Sequence, residues 1–245
     1  MVVVVLENHS YGEIVGSPDA PFIDSLAKGG AMFTRAFAET HPSEPNYLAL
    51  FSGATQGVTD DSCPHTFAAA NLARTLLDAG RTFRGYSEGL PSPGYVGCGS
   101  GAYARKHNPW VNFSNVPAAA NQPFTAFPSD YATLPAVSFV IPDLDHDMHD
   151  GTVAQADRWL SDHLGTYVPW ASSHRSILVL TWDEDDSSAD NRIPTIIAGA
   201  AVRPGNYDQR IDHYRLLRTL ADAYHVAAPG AASTATPITD IWLDH

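Results

Sequence analysis

The sequence predicts an α/β fold built on a mostly parallel sheet, and two observations carry that expectation. Apolar runs of four to six residues recur along the chain, and the segments between them space their apolar residues as helices do. A third observation sets the scale. With 245 residues, 44% of them hydrophobic, and no repeat or low-complexity tract, a single domain over 1–245 with a sizeable core is expected.

The first run, VVVVL at 2–6, reads as a fully buried strand. A helix over 20–28 follows, stopped by Gly29 and Gly30, and then the run AMFTRAF at 31–37. Pro45 suits the first turn of a helix over 45–52, and Gly80 closes another over 69–79 before the strand TFRGYSE at 82–88. Residues 90–135 are rich in Pro, Gly, Asn and Ser. Ordered loops of that length usually build a site, so the stretch is read as an excursion covering one. AVSFVI at 136–141, a helix over 152–167, SILVLTWDE at 176–184, RIPTIIAG at 192–199 and a helix over 213–223 complete the pattern.

Composition excludes several classes of function. A net charge of -13, with 14 Lys and Arg in all, argues against a nucleic-acid partner, because phosphate backbones need clustered cations. No window reaches the roughly 20 apolar residues of a membrane-spanning helix, so no integral membrane segment is expected. Because a core strand begins at the second residue, the chain is expected to start after a removed leader, in a secreted, cell-surface or periplasmic protein. Cys63 and Cys98 lie in Gly-, Pro- and Asp-rich surroundings that accommodate a loop-to-loop disulfide, the alternative being two separate thiols.

In open α/β sheets ligands bind beyond the carboxyl ends of the strands. Three predicted strands end in polar groups there: Glu7-Asn8-His9 after the first, DLDHDMHDG (143–151) after AVSFVI, and TWDEDD (181–186) after SILVL. Taken singly, each reads as a solvated loop; three at one sheet edge read as a site. Glu7, Asn8, Asp183 and Glu184 offer hard oxygen ligands for one divalent cation, Ca, Mg, Mn or Zn. Ser43, in HPSEPN just ahead of a predicted helix, reads either as a metal-activated nucleophile or as an ordinary helix N-cap.

The ordered set ENHSY, HPSEPNYLALFSG, YARKHNP, DMHDG, TWDEDD and IDHYRLLRTLADAY resembles the bacterial phosphoesterase family, from Val2 to about Tyr224. That family contains metal-dependent acid phosphatases and the phosphatidylcholine-hydrolysing type of phospholipase C. The resemblance implies a three-layer α/β/α fold similar to alkaline phosphatase. It also implies a phosphoric ester hydrolase with Ser43 as the phosphorylated nucleophile, and a metal held by Glu7, Asn8, Ser43, Asp183 and Glu184. His107 and His149 match the family's active-site histidines, for phosphate binding and leaving-group protonation. Asn46, Lys106, Asp147 and His213 are expected around the substrate, with His41, His146 and Asp150 in the second rank; for His213, helix capping by Asp212 explains the local pattern nearly as well.

The expected substrate is a small phosphate ester or a phospholipid headgroup. A monoester dianion needs positive charge, and protonated histidines supply it below about pH 6.5, so an acidic optimum is expected for monoesterase activity. Phospholipase-type members carry extra C-terminal modules, whereas this chain ends soon after its last predicted helix, which favours a phosphatase over a phosphodiesterase or phospholipase C. The TWDEDDSSADN loop departs from many relatives in lacking a Gly-rich continuation. A non-catalytic cation-binding module is the alternative from another class, and its marker, a lost nucleophile, is missing. A carboxylic-ester hydrolase is disfavoured because no G-x-S-x-G elbow occurs.

Overall fold

The computed structural model describes residues 1–243. Its first third runs β1 (Val2–Leu6), α1 (Tyr11–Ile14), α2 (Pro21–Gly29), β2 (Ala31–Phe33), β3 (Ala36–Phe37), α3 (Ser43–Ser52), α4 (Leu72–Asp78) and β4 (Phe83–Ser87). Then come the short strands β5 (Gly99–Ser100), β6 (Tyr103–Ala104) and β7 (Asn121–Pro123), followed by β8 (Val137–Ile141), α5 (Val153–Leu164), α6 (Tyr167–Ser173) and β9 (Ile177–Trp182). The chain closes with β10 (Arg192–Ile193), β11 (Thr195–Gly199), β12 (Gly205–Tyr207), β13 (Ile211–Asp212) and α7 (His213–Asp222).

Eight strands form one sheet in the order β12-β2-β11-β9-β1-β8-β4-β7. β9, β1, β8, β4 and β7 run parallel, whereas β11 is antiparallel to both of its neighbours. Every residue of β1 and β8 is buried, which is why both read as unbroken apolar runs. One group of helices, α2, α5 and α6, packs together and against β9 and β11; the other, α3, α4 and α7, packs together and against β4. The three layers follow from those two groups.

Two predicted strands divide. Pro194 separates β10 from β11, and a residue without an N–H cannot continue a ladder there. β10 pairs with β3 in a small second sheet, completed by β13, while β11 and β2 stay in the large one. The predicted 152–167 helix ends at Leu164, and α6 begins three residues later. Within 90–135 the chain forms the β5–β6 hairpin and a 3₁₀ turn at Arg105–His107, which packs on α3. Farther on, β7 pairs at the sheet edge with β4.

β9, β1 and β8 are neighbours, so their carboxyl ends lie side by side. Backbone hydrogen bonds hold the exits together: Asp183 N–H donates to the Leu6 carbonyl (3.0 Å), and Glu7 N–H to the Asp147 carbonyl (2.8 Å).

Candidate active site

α3 begins at Ser43, two residues ahead of the predicted start, because Pro45 in a first turn costs no hydrogen bond. Its N-cap is Pro42, which offers no capping side chain, and Asp61 Oδ1 accepts the Glu44 N–H instead (2.9 Å). The N-cap reading of Ser43 therefore fails. Its hydroxyl is 1% exposed and faces the strand ends, 3.0 Å from Glu7 Oε2, 3.2 Å from Glu184 Oε1 and 3.4 Å from the Asn8 side-chain oxygen.

Asp183 closes the group, with Oδ1 accepting the Asn8 N–H (3.1 Å) and Oδ2 buried without a partner. Asn8 sits at φ 49°, a left-handed conformation that Asn tolerates and that ends the strand abruptly. The Asn8 amide has two orientations to offer: as placed, its oxygen joins those of the carboxylates around Ser43, and turned, its nitrogen donates to Glu7 Oε2 (3.3 Å) and Glu184 Oε1 (3.1 Å).

Three carboxylates, one amide and one hydroxyl proton cannot satisfy one another in a buried space. The protonation equilibria register that deficit. Burial, and then Asp183, push the Glu7 carboxyl well above its ordinary range, and burial and Glu184 do the same to Asp183. Burial followed by the charge of Glu7 pushes Glu184 up to about 8. Oxygen donors converging on one point, one of them orphaned, are the ligand chemistry of a hard divalent cation.

A second side of the site comes from Arg105–His107 and the 143–151 loop. His107, 1% exposed, places Nδ1 3.1 Å from Asp147 Oδ2 and Nε2 3.3 Å from Glu7 Oε1. Burial pulls its imidazole down to about 4 and pushes the Asp147 carboxyl up to about 8. His107 is thus neutral at pH 5 to 7, which removes it from the protonated histidines expected to favour an acidic optimum.

His149 lies nearer the mouth, with Nε2 3.3 Å from Lys106 Nζ and Nδ1 2.7 Å from Asp150 Oδ1. Lys106 also donates to Asp61 Oδ2 (2.8 Å). Met148, between Asp147 and His149, is held at φ 83°, a strain of about 1–3 kcal/mol for a non-glycine residue, and its burial keeps it there. The loop is braced from outside by His146, whose Nδ1 lies 3.0 Å from both Glu88 Oε2 and Asp143 Oδ1.

Ser43 thus meets Glu7, Asn8 and Glu184, and Asp183 joins them through the Asn8 N–H, with His107, Asp147, His149 and Lys106 beside them; among the described residues the His, Asp and Glu groups whose ligand atoms lie closest together are Glu7, His107 and His149, and Glu88, Asp143 and His146. Two expected substrate contacts are engaged elsewhere, and that expectation is corrected for both. Asn46 accepts from the Glu39 and Thr40 amides and donates to the Thr40 and Pro42 carbonyls, so its whole hydrogen-bonding capacity braces the 39–42 turn. His213 Nε2–H donates to the Asp183 carbonyl (2.7 Å), beneath the site rather than in it, while Asp212 caps α7.

Two participants, Tyr47 and Asp61, carried little or no signal in the sequence, and a third, His41, stood only in the second rank of candidates. Tyr47 Oη donates to Glu7 Oε1, and its ring stacks on His107; its place one helical turn after Ser43 is the signal that could have found it. His41 Nδ1 lies 2.5 Å from Glu184 Oε2. Asp61 arrives from a loop, and no spacing points to it.

Residues 17–227 match the phosphoesterase family. The chain is 56% identical over 247 residues to a phosphatidylinositol-3-phosphatase of Mycobacterium tuberculosis, across 100% of this chain and 83% of that protein. It is 31% identical over 218 residues to a phosphate-repressible acid phosphatase of Penicillium chrysogenum, across 81% of this chain and 53% of the other. The chain spans about half the length of that fungal relative. A solved structure of a protein in the alkaline phosphatase superfamily from Vibrio parahaemolyticus shares the fold with a TM-score of 0.62 at 15% identity, over 96% of this chain and 69% of that one.

Proposed function

Since the chain belongs to the phosphoesterase family, we propose that it is a phosphoric monoester hydrolase that depends on a divalent cation and works through phosphorylation of Ser43. One observation carries the reading: a buried Ser43 hydroxyl surrounded by the oxygens of Glu7, Asn8 and Glu184, with Asp183 beside them. A cation bound by Glu7, Asn8, Ser43, Asp183 and Glu184 supplies Lewis acidity, lowering the pKa of the serine hydroxyl and offsetting phosphoryl charge.

The protein's own groups do the rest. Ser43, its hydroxyl proton already lost to solvent, attacks phosphorus through Oγ and the P–O bond to the leaving group breaks, while Lys106 binds a non-bridging oxygen. His149, at the mouth, gives its proton to the departing alkoxide. It then takes one from the water that cleaves the phosphoserine, which returns Ser43 and releases phosphate. His107 is kept neutral; with its Nδ1 accepting the proton of the Asp147 carboxyl, which burial pushes up to about 8, its Nε2–H is the uncharged donor to a phosphate oxygen.

The phosphatidylinositol-3-phosphatase named among the relatives supports a phosphorylated lipid headgroup as substrate. The Cys63–Cys98 disulfide supports an oxidising, extracytoplasmic setting.

The test is release of phosphate from nitrophenyl phosphate and from dispersed phosphatidylinositol 3-phosphate. Ser43→Ala is expected to lower kcat by about 10³-fold or more. Chelation is expected to abolish turnover, and one of Mg²⁺, Ca²⁺, Mn²⁺ or Zn²⁺ to restore it. Near-wild-type turnover by Ser43→Ala removes the nucleophile, and turnover indifferent to chelation removes the cation.

A further inference from the structure

Lys106 stands among carboxylates, and its position among them needs an explanation. Burial pulls its ammonium down, but the hydrogen bond it donates to Asp61 and the nearby carboxylate charge, Asp61 first, more than offset it, so the group is held charged. A flexible lysine has many places to rest, and one contact decides among them: Nζ is 2.8 Å from Asp61 Oδ2 and 3.3 Å from His149 Nε2.

Asp61 is built into the nucleophile's own helix. Its second oxygen, Oδ1, accepts the N–H of Glu44, the residue next to Ser43. One carboxylate therefore spans from the first turn of α3 to the ammonium. Its loop is fixed in turn, since Cys63, two residues on, is bonded to Cys98, just ahead of the hairpin that delivers Lys106. Arg105 ties the same loops by donating to the His65 carbonyl (2.9 Å), the Val96 carbonyl (2.5 Å) and Asn112 Oδ1 (3.1 Å), so its guanidinium is spent within the protein.

We infer that Asp61 is a positioning residue that holds Lys106 at a fixed place at the mouth of the site, against His149 and the first turn of α3, and so sets a preference for phosphomonoesters over phosphodiesters. The inference rests on the phosphohydrolase reading given above. A monoester brings a dianion and a diester a monoanion. The additional charge is rewarded most by an ammonium already in position, because a lysine free to swing must first be ordered.

The test is kcat/KM for nitrophenyl phosphate and for bis(nitrophenyl) phosphate in wild type, Asp61→Asn, Lys106→Gln and the double variant, with the Kd of orthovanadate as a binding readout. The monoester-to-diester ratio is expected to fall about 10-fold or more in Asp61→Asn and in Lys106→Gln, with vanadate weakened in parallel. The double variant is expected to match Lys106→Gln, because Asp61 acts through the lysine. An unchanged ratio in Asp61→Asn, an equal loss on both esters, or a double variant that falls by the product of the single effects overturns the inference. Should Asp61→Asn fail to fold, an unchanged ratio in Lys106→Gln overturns it equally. Full turnover by Ser43→Ala would sink the hydrolase reading itself, whereas an unchanged ratio beside an inactive Ser43→Ala sinks only the role of Asp61.

Discussion

Glu7 has two oxygens with two different tasks. Oε2 faces Ser43, while Oε1 accepts the Tyr47 hydroxyl and lies against His107 Nε2. The tyrosine hydrogen bond lowers the Glu7 pKa against the burial that raises it, and so favours the ionised form a cation needs. Tyr47→Phe is therefore expected to weaken the proposed cation's binding about 10- to 100-fold, as loss of a partner that orients a ligand does. It should also cost about 1–3 kcal/mol of stability for the oxygen left unpaired. Titration calorimetry with the activating metal measures the first effect, and unchanged affinity would remove Tyr47 from the site. The residues that converge were legible where they end strands, because oxygen-bearing groups at the mouth of a core require a partner. Tyr47 and Asp61 were less so, since each reaches the site by a tertiary contact that no local pattern encodes, whereas His41, two residues ahead of Ser43, was within reach as a second-rank candidate.

At the scale of elements, apolar runs show that a strand exists but not which sheet receives it. The 31–37 and 192–199 runs each serve two sheets, and of the two breaks only Pro194 could be read in advance. β7 has the sequence NQP, polar and ending in proline, which suits an edge and nothing else. The loops are a different case, because a covalent bond does there what packing does in the core. Cys63 and Cys98 are 35 residues apart, and closing a loop of that length restricts the unfolded chain by about 3–4 kcal/mol. The Cys63→Ser, Cys98→Ser pair is expected to lower the denaturation midpoint by that measure while leaving the far-ultraviolet dichroism of the sheet and helices in place. A midpoint that does not move would show that Arg105, which bridges the same loops, suffices.

Over the whole molecule the dominant fact is negative charge, -13 net, with part of it concentrated in the core at the sheet's carboxyl edge. Stability and cation binding are therefore linked through protons. Glu7 and Asp183 are pushed well above their ordinary ranges and Glu184 to about 8. A carboxyl raised in the folded state binds its proton more tightly there than in the unfolded chain. Its contribution is complete below the unfolded value, near 4.5 for Glu184, and is lost as pH rises through the folded one. Metal-free protein should accordingly lose melting temperature between about pH 5 and pH 8. Binding of the proposed cation is expected to run the opposite way, because the same oxygens must shed protons to coordinate, so its stabilisation should grow across that interval. The expected result is a pair of melting curves, chelated and metal-loaded, that coincide near pH 5 and separate progressively toward pH 8. A separation independent of pH would mean that the cation binds away from Glu7, Asp183 and Glu184. A chelated protein whose melting temperature rises toward pH 8 would mean that these carboxyls are already ionised at pH 5.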